Sequence, residues 1–376
     1  MRWIIAGRYG MPGRSLAIAM HAVNLVFAAA GPPDRFRRRP WLPLTTAVAF
    51  AAQVAVAAKY LFYQMPKVAK AALPQRLYQG GAGKSAMGQD RRIAGWVSGA
   101  LVVGAFGLLV WAEMRRPLRE HREGKVRRNI RNVAVAALSA VTLQALERPI
   151  VNPLAKLVQR RRRGLLKRFR LPAWVENVLA VALLDYTLYL WHIMVHRVPF
   201  LWRFHQVHHA DLDMDTSTAL RFHFGEMALS VPYRAAQVAL LGIAPRPLSM
   251  WQTFLLVSVM FHHSDLRLPL PLERRLSRFF VTPRMHGIHH SIIEDEVNSN
   301  WSSGLTLWDW LHGTLRLDVP QSEIDIGVPA YRSPDDVTLP KLVEMPFAEQ
   351  PPTDRLPSGE KPRRYRRFSV GKRLPG

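Results

Sequence analysis

Long apolar runs separated by basic loops predict an all-α, multi-span integral membrane protein. Hydrophobic residues make up 49% of the 376-residue chain and charged ones only 21%, yet the formal net charge is +25. Apolar spans alternating with loops rich in Lys and Arg produce that combination. The positive charge interrupts the apolar runs instead of decorating one module, which argues against a nucleic-acid partner. The other informative feature is that twelve of the 14 histidines fall between His192 and His312. There are no cysteines, so disulfides, thiolate-held zinc and Fe–S clusters are excluded, and His, Asp and Glu are left as the strong metal ligands.

Taken in order, residues 15–31 form a short apolar run behind Arg2, Arg8 and Arg14. That pattern suits a signal peptide or a weak first span. Residues 41–63 read as a better span, with Lys59 snorkelling near its end. The linker 64–92 contains GGAGKS, but Tyr78 stands where a phosphate loop needs glycine, so that reading is rejected. Residues 1–92 are thus an N-terminal region with one or two candidate spans.

The run 93–114 is 22 residues long and carries a single charge, Glu113, near its end, which is enough to span a bilayer. The basic stretch 115–131 that follows reads as a cytoplasmic loop under the positive-inside rule. Residues 132–155 are apolar again but are interrupted by Glu147, Arg148 and Pro149, and a second basic block occupies 159–170. Either 132–155 dips in and returns, or one basic block lies on the wrong side. Residues 173–198 are apolar, long enough to cross, and deliver His192 and His196 to one end. Two further apolar stretches, 226–243 and 247–262, flank the turn-forming 244–247. Whether they form two crossings or an embedded hairpin, the chain returns to the side it left. All the histidine clusters are therefore expected to face one compartment, the cytoplasm. Residues 319–376 read as a polar, Pro-rich tail, and 354–376, with eight Lys or Arg against two acids, as disordered.

Eight histidines sit in three clusters: His192 and His196; His205, His208 and His209; His286, His289 and His290. Residues three and four apart share one helix face, so each cluster points its imidazoles the same way. Neutral imidazole is the commonest protein ligand for transition metals. One tetrahedral ion takes four ligands, so eight imidazoles suggest two metals in one pocket at a membrane face. His223 and the pair His262 and His263 lie at the ends of apolar runs that would bring them toward the clusters, which makes His223 a further candidate metal ligand. His312 stands outside any pair, and His21 and His121 read as incidental. Asp185, Tyr189, His192 and His196 form one stripe with spacings of four, three and four. A carboxylate within a span is a functional candidate. Asp185 lies two turns from His192, so holding an imidazole N–H or a bound water suits it better than direct ligation.

These pieces together resemble the fatty acid hydroxylase (sterol desaturase-like) superfamily of membrane di-iron oxygenases. The resemblance covers roughly 93–318. It rests on the stripe from Asp185 to His196, HQVHH followed by DLDMD, RFHFGE, FHHSDL, TPRMHGIHH, NSNW at 298–301, and LTLWDWLHGT. It departs from the family at Phe224, where relatives usually carry proline, and at His312, where many carry phenylalanine. The resemblance implies that the eight clustered histidines are metal ligands, joined by His263, with His262 in a local role. It also implies two iron ions and a hydroxylase or desaturase acting on a lipid, sterol or isoprenoid. O2 and two electrons would be consumed per turnover, the electrons coming from an external cytochrome or ferredoxin with its reductase. Two other classes stay open on the residues alone. One is a zinc-dependent hydrolase using Glu226 or the DLDMD acids as base, and the other is a metal transporter.

Overall fold

The computed structural model describes residues 95–364. The readings placed on 1–92 and on the last residues of the tail lie outside them. Among the described residues the fold is helical, and the extended pairings are isolated bridges only. Contacts divide these residues into a smaller unit, Pro149–Phe169 with Leu229–Ala244, and a larger unit holding the rest.

In the larger unit, α1 (Gly95–Arg115) is followed by α2 (Lys125–Thr142) and a π turn at Leu143–Glu147; the helix runs on as α3 (Arg148–Arg161), which belongs to the smaller unit from Pro149 onward. The interruption that the sequence suggests at residues 147–149 is therefore no break in the helix. Pro149 has no N–H to offer the carbonyl four residues earlier, and the widened turn directly before it absorbs the mismatch. Among the described residues, three helices are long and apolar enough to cross a membrane: Val97–Arg115, Lys125–Arg168 and Ala173–Arg197. The stretches 226–243 and 247–262 are also helical, as α6 (Phe224–Leu241) and α7 (Pro245–His263), but they fall outside that set of three. Before them in the chain come α4 (Ala173–Arg197) and α5 (Pro199–His209). Helix α7 is the hub of the larger unit, packing on α1, α4 and α9 (Pro283–His289), and α4 also packs on α5. Short helices α8 (Leu270–Leu276), α10 (Glu294–Val297), α11 (Leu307–His312) and α12 (Leu339–Glu344) complete it.

Glu113, the lone charge near the end of the first described span, is buried and anchors that span. Its carboxylate accepts from the Thr216 N–H (3.0 Å), the Thr216 hydroxyl (2.8 Å), the Asp265 N–H (3.1 Å) and Lys125 Nζ (2.8 Å). The DLDMD acids are likewise spoken for. Arg128 is fully buried and donates to Asp211 (3.0 Å), to the Asp213 carbonyl (3.2 Å) and to Asp215. The Asp213 carboxylate accepts from the Arg122 and Glu123 N–H groups, each at 2.9 Å. Removing one partner from such a buried pair costs about 3–5 kcal/mol, so this network pins the loop after α5 to the start of α2.

Residues beyond 318, which the composition sets apart as a tail, are packed into the larger unit as far as Arg364. Val328, Val337, Leu342 and Met345 share one apolar cluster with Val135, Val207, Ala210 and Leu212. Arg364 closes on Glu296 (2.6 and 3.0 Å) and Glu323 (2.9 Å). Few apolar residues, widely spaced among prolines, are enough to dock here because the surface that receives them is already formed by α2 and α5.

In the smaller unit, Gly164 and Gly242 meet with positive φ of 99° and 82°. A side chain on Gly164 would overlap the Gly242 backbone and one on Gly242 would crowd the Arg163 carbonyl, and the Leu165 N–H bonds the Leu240 carbonyl at 2.8 Å beside them.

Candidate metal centre

Four elements bring the histidines together. The end of α4 supplies His192 and His196, α5 supplies His205, His208 and His209, α7 ends on His262 and His263, and α9 with its cap supplies His286, His289 and His290. The ring nitrogens converge in two groups: His192, His196, His205 and His209 in one, and His208, His263, His286 and His290 in the other. Within each, the nitrogens lie within 4.8 Å of one another. The groups touch through His209 and His290, whose rings stack at 4.2 Å. His289 faces the first group, with its ring 4.6 Å from His192 and 4.7 Å from His196. The single helical turn between His205 and His209 explains the split: His208 points to one group while its neighbours point to the other.

In four rings the nitrogen turned away from the groups is held. His192 Nδ1 donates to the Trp301 carbonyl (2.7 Å), His289 Nδ1 to the Ser299 carbonyl (2.8 Å), and His263 Nδ1 to the Val259 carbonyl (2.7 Å). His205 Nδ1 meets the Glu226 carboxylate at 3.0 Å. A carbonyl can only accept, so each of these bonds fixes the proton on Nδ1 and leaves Nε2 as a lone pair. The buried Nε2 atoms of His196, His205 and His289, and both nitrogens of His209, have no hydrogen-bond partner.

The second group makes the same point by distance. His263 Nε2 lies 3.0 Å from His208 Nε2 and 3.0 Å from His286 Nε2, and His290 Nε2 lies 3.2 Å from His286 Nε2. A single lone pair on His263 cannot accept from both neighbours. Nitrogens about 2.1 Å from a shared cation stand roughly 3.0–3.4 Å apart, which is the spacing observed. Burial, reinforced by neighbouring imidazoles, holds His208, His209, His286 and His290 well below the usual histidine range, and burial takes His289 down to about 3. Neutral rings with unpartnered lone pairs are suited to transition-metal ions.

The segment 299–302 is a clamp that the spacing of the histidines does not reveal. Asn300 is buried with φ of +52°, a conformation that Asn tolerates better than most residues. Its flanking carbonyls, on Ser299 and Trp301, are the ones that hold His289 and His192. Asp309 fastens the same segment from behind, accepting from the Trp301 N–H (2.9 Å) and the Ser302 N–H (3.0 Å). Thr314 donates to Asp309 (2.7 Å) and shares a hydrogen bond with the Tyr189 hydroxyl (3.1 Å). Tyr189 thus supports the clamp through Thr314 and Asp309.

Three expectations change on contact with the geometry. Asp185 reaches no imidazole: one of its oxygens accepts from the Leu305 N–H (3.0 Å) and the Trp308 indole N–H (2.7 Å). It ties the segment after the clamp to the middle of α4. His223 joins neither group. Its Nδ1 accepts from the Gly225 N–H (2.9 Å) at the start of α6 and its Nε2 donates to the Val343 carbonyl (3.2 Å), so both nitrogens are occupied locally. Its ring packs on Phe204 and Phe224 instead. Glu226, weighed as a hydrolytic base, stands behind His205 on the Nδ1 side of the ring. His262 lies against His286, with ring centroids 4.0 Å apart, outside both groups of four. His312 stacks on Tyr189 and Tyr186.

Residues 177–314 match the family model described as fatty acid hydroxylase. The chain is 32% identical to the ornithine lipid hydroxylase OlsE of Rhizobium tropici over 42% of its own length and 46% of that protein's. It is 30% identical to the alkylglycerol monooxygenase of Homo sapiens over 39% of its length and 31% of that protein's. It is 26% identical to the cholesterol 25-hydroxylase of Mus musculus, over 37% of its length and 46% of that protein's. The chain therefore spans less than half the length of each of these three relatives. No solved structure matches it. The matched segment runs from within α4 through the 299–302 turn and contains the clustered histidines. Over residues 177–314 this chain is thus similar to the fatty acid hydroxylase family.

Proposed function

We propose that this chain is a multi-pass membrane di-iron oxygenase that hydroxylates or desaturates a C–H bond of a lipid, sterol or isoprenoid. The observation that carries the reading is the two converging histidine groups, with Nδ1 of His192, His263 and His289 held by carbonyls and buried ring nitrogens of His196, His205, His209 and His289 unpartnered. His192, His196, His205, His209 and His289 would hold one iron, and His208, His263, His286 and His290 the other. When bound, such a pair supplies the means to bind and reduce O2. The protein's part is to keep each ring oriented. The Ser299, Trp301 and Val259 carbonyls hold the protons of His289, His192 and His263 on Nδ1, and Glu226 orients the His205 ring through its Nδ1. Burial of the set, with His196 half-buried, limits the access of bulk water. The two electrons would come from an external cytochrome or ferredoxin with its reductase.

The relatives are named for acting on ornithine lipids, alkylglycerols and cholesterol, which supports a lipidic substrate. The hydrolytic alternative loses its bases, because the DLDMD carboxylates pair with Arg128 and the backbone of 122–123, and Glu226 sits behind His205. A cytoplasmic site is supported by the basic loop after α1. Arg119 donates to the Pro283 carbonyl (2.8 Å) at the start of α9, and the loop's Arg122 and Glu123 N–H groups grip Asp213. The segment that the positive-inside rule assigns to the cytoplasm is thus packed on the histidine loops. The reading is tested by comparing lipid extracts from cells with and without the gene. A lipid gaining one oxygen or losing two hydrogens supports it, and appearance of hydrolysis products alone contradicts it.

A further inference from the structure

Away from the histidine centre, the turn after α1 borders a cavity of about 450 Å³ lined by Arg115, Arg116, Pro117, Arg267, Leu268 and Pro269. Two backbone segments build it. The Leu118 N–H donates to the Asp265 carbonyl (2.7 Å), and the Arg267 N–H to the Arg116 carbonyl (2.8 Å), with Pro117 and Leu266 bridged between them. That pairing holds three guanidinium-bearing residues around one opening. Among the described residues, none of the three has an ion-pair partner, although Arg115 lies over the Trp111 ring at 5.5 Å. Three unneutralised cations crowded at one cavity repel each other, and an anion relieves that repulsion.

The surroundings say what kind of anion. Helix α1 presents Trp111 and Met114 outward at 56% and 67% exposure directly before the arginines, and Leu270 and Leu272 lie exposed just beyond Pro269. Val97–Arg115 is one of the three helices suited to cross a membrane, so Arg115 and Arg116 stand where hydrocarbon gives way to headgroups. An aromatic ring followed by arginines marks that boundary. A free anion would use the charge and leave the apolar flank idle, whereas a lipid uses both.

We propose that this cavity binds the phosphate of an anionic phospholipid, with the acyl chains lying along α1 at Trp111 and Met114. The test is native mass spectrometry of the detergent-purified full chain with dioctanoyl phosphatidylglycerol, dioctanoyl phosphatidylcholine, or inorganic phosphate alone. The expected result is a single phosphatidylglycerol adduct, favoured about tenfold or more over phosphatidylcholine and over phosphate, as charge-assisted contacts of this kind allow. Replacing Arg115, Arg116 and Arg267 together by Gln should remove that preference, and replacing them by Lys should keep most of it. The same Gln exchange at Arg274, Arg275 and Arg278, which lie outside the cavity, should leave it intact. Equal binding of the two lipids, phosphate binding as tightly as phosphatidylglycerol, or equal losses from the two Gln triples would overturn the assignment. If the first Gln triple fails to fold, the wild-type ligand ranking and the Lys triple still decide.

Discussion

Replacing Asn300 by Ala and by Gly separates two contributions at the clamp. The Asn300 side chain donates to the Met285 carbonyl (2.9 Å) and the Arg316 carbonyl (2.7 Å), and accepts from the Arg316 N–H (2.7 Å). Either change leaves these buried backbone groups short of a partner, at roughly 1–3 kcal/mol each where nothing else reaches them. With partial relaxation, the Gly variant is expected to lose about 3–5 kcal/mol. Ala must in addition hold the left-handed conformation that φ of +52° requires, which adds about 1–2 kcal/mol that Gly avoids. The carbonyls on either side hold the rings of His289 and His192, so both variants should also weaken metal binding by about 10–100-fold. Thermal unfolding of the detergent-purified variants reads the first effect, and metal per chain after dialysis reads the second. An Ala variant as stable as the Gly variant would refute the backbone argument. Wild-type metal retention in both would refute the clamp.

Other outcomes follow from the same geometry. His208→Ala should lose metal and turnover, since its Nε2 lies 3.0 Å from His263 Nε2, whereas His223→Ala should keep metal and lose only stability, by about 1–2 kcal/mol for the local hydrogen bonds; equal metal loss in both would contradict the split. Asp185→Asn, which keeps an acceptor for Leu305 and Trp308, should retain metal, while Asp185→Leu leaves two buried donors unpaired and should unfold about 2–5 kcal/mol more easily; the reverse order in thermal unfolding would remove the anchoring role. Because the chain has no native cysteine, single cysteines at the exposed positions Glu120 and Asp295 can report topology. Both should react with a membrane-impermeant maleimide only from the cytoplasmic side, and opposite sides would separate the basic loop from the histidine loops.

Much of this centre could be read from spacing, because helical periodicity is local: the HxxHH pairs and the HxxxH at the end of α4 each report one face of one helix. What spacing could not report is which imidazole pairs with which. His208 leaves its own cluster for His263 and His286, and that division depends on where α7 and α9 dock. The partners of the outward nitrogens were also hidden, since two of them are main-chain carbonyls of residues 299 and 301, more than a hundred positions from His192 in the case of Trp301. His223 looked like a ligand because it ends a polar motif beside an apolar run, but its neighbour Gly225 offers an N–H that the ring accepts at the start of α6. Asp185 shows the opposite bias. A carboxylate on the same stripe as two histidines suggests a shared task, yet in three dimensions the nearest unpaired donors are the Leu305 backbone and the Trp308 indole. The packing of 328–345 was masked by its prolines and charges, because the few apolar side chains it buries acquire a partner surface only after α2 and α5 have formed.

The most direct test of the central claim is elemental analysis of the detergent-purified chain together with its His208→Ala and His196→Ala variants, one from each histidine group. The account requires two iron ions per wild-type chain and the loss of about one from each single variant, with the other group still loaded. Zinc in place of iron, a single ion in the wild type, or full metal content in both variants would contradict it.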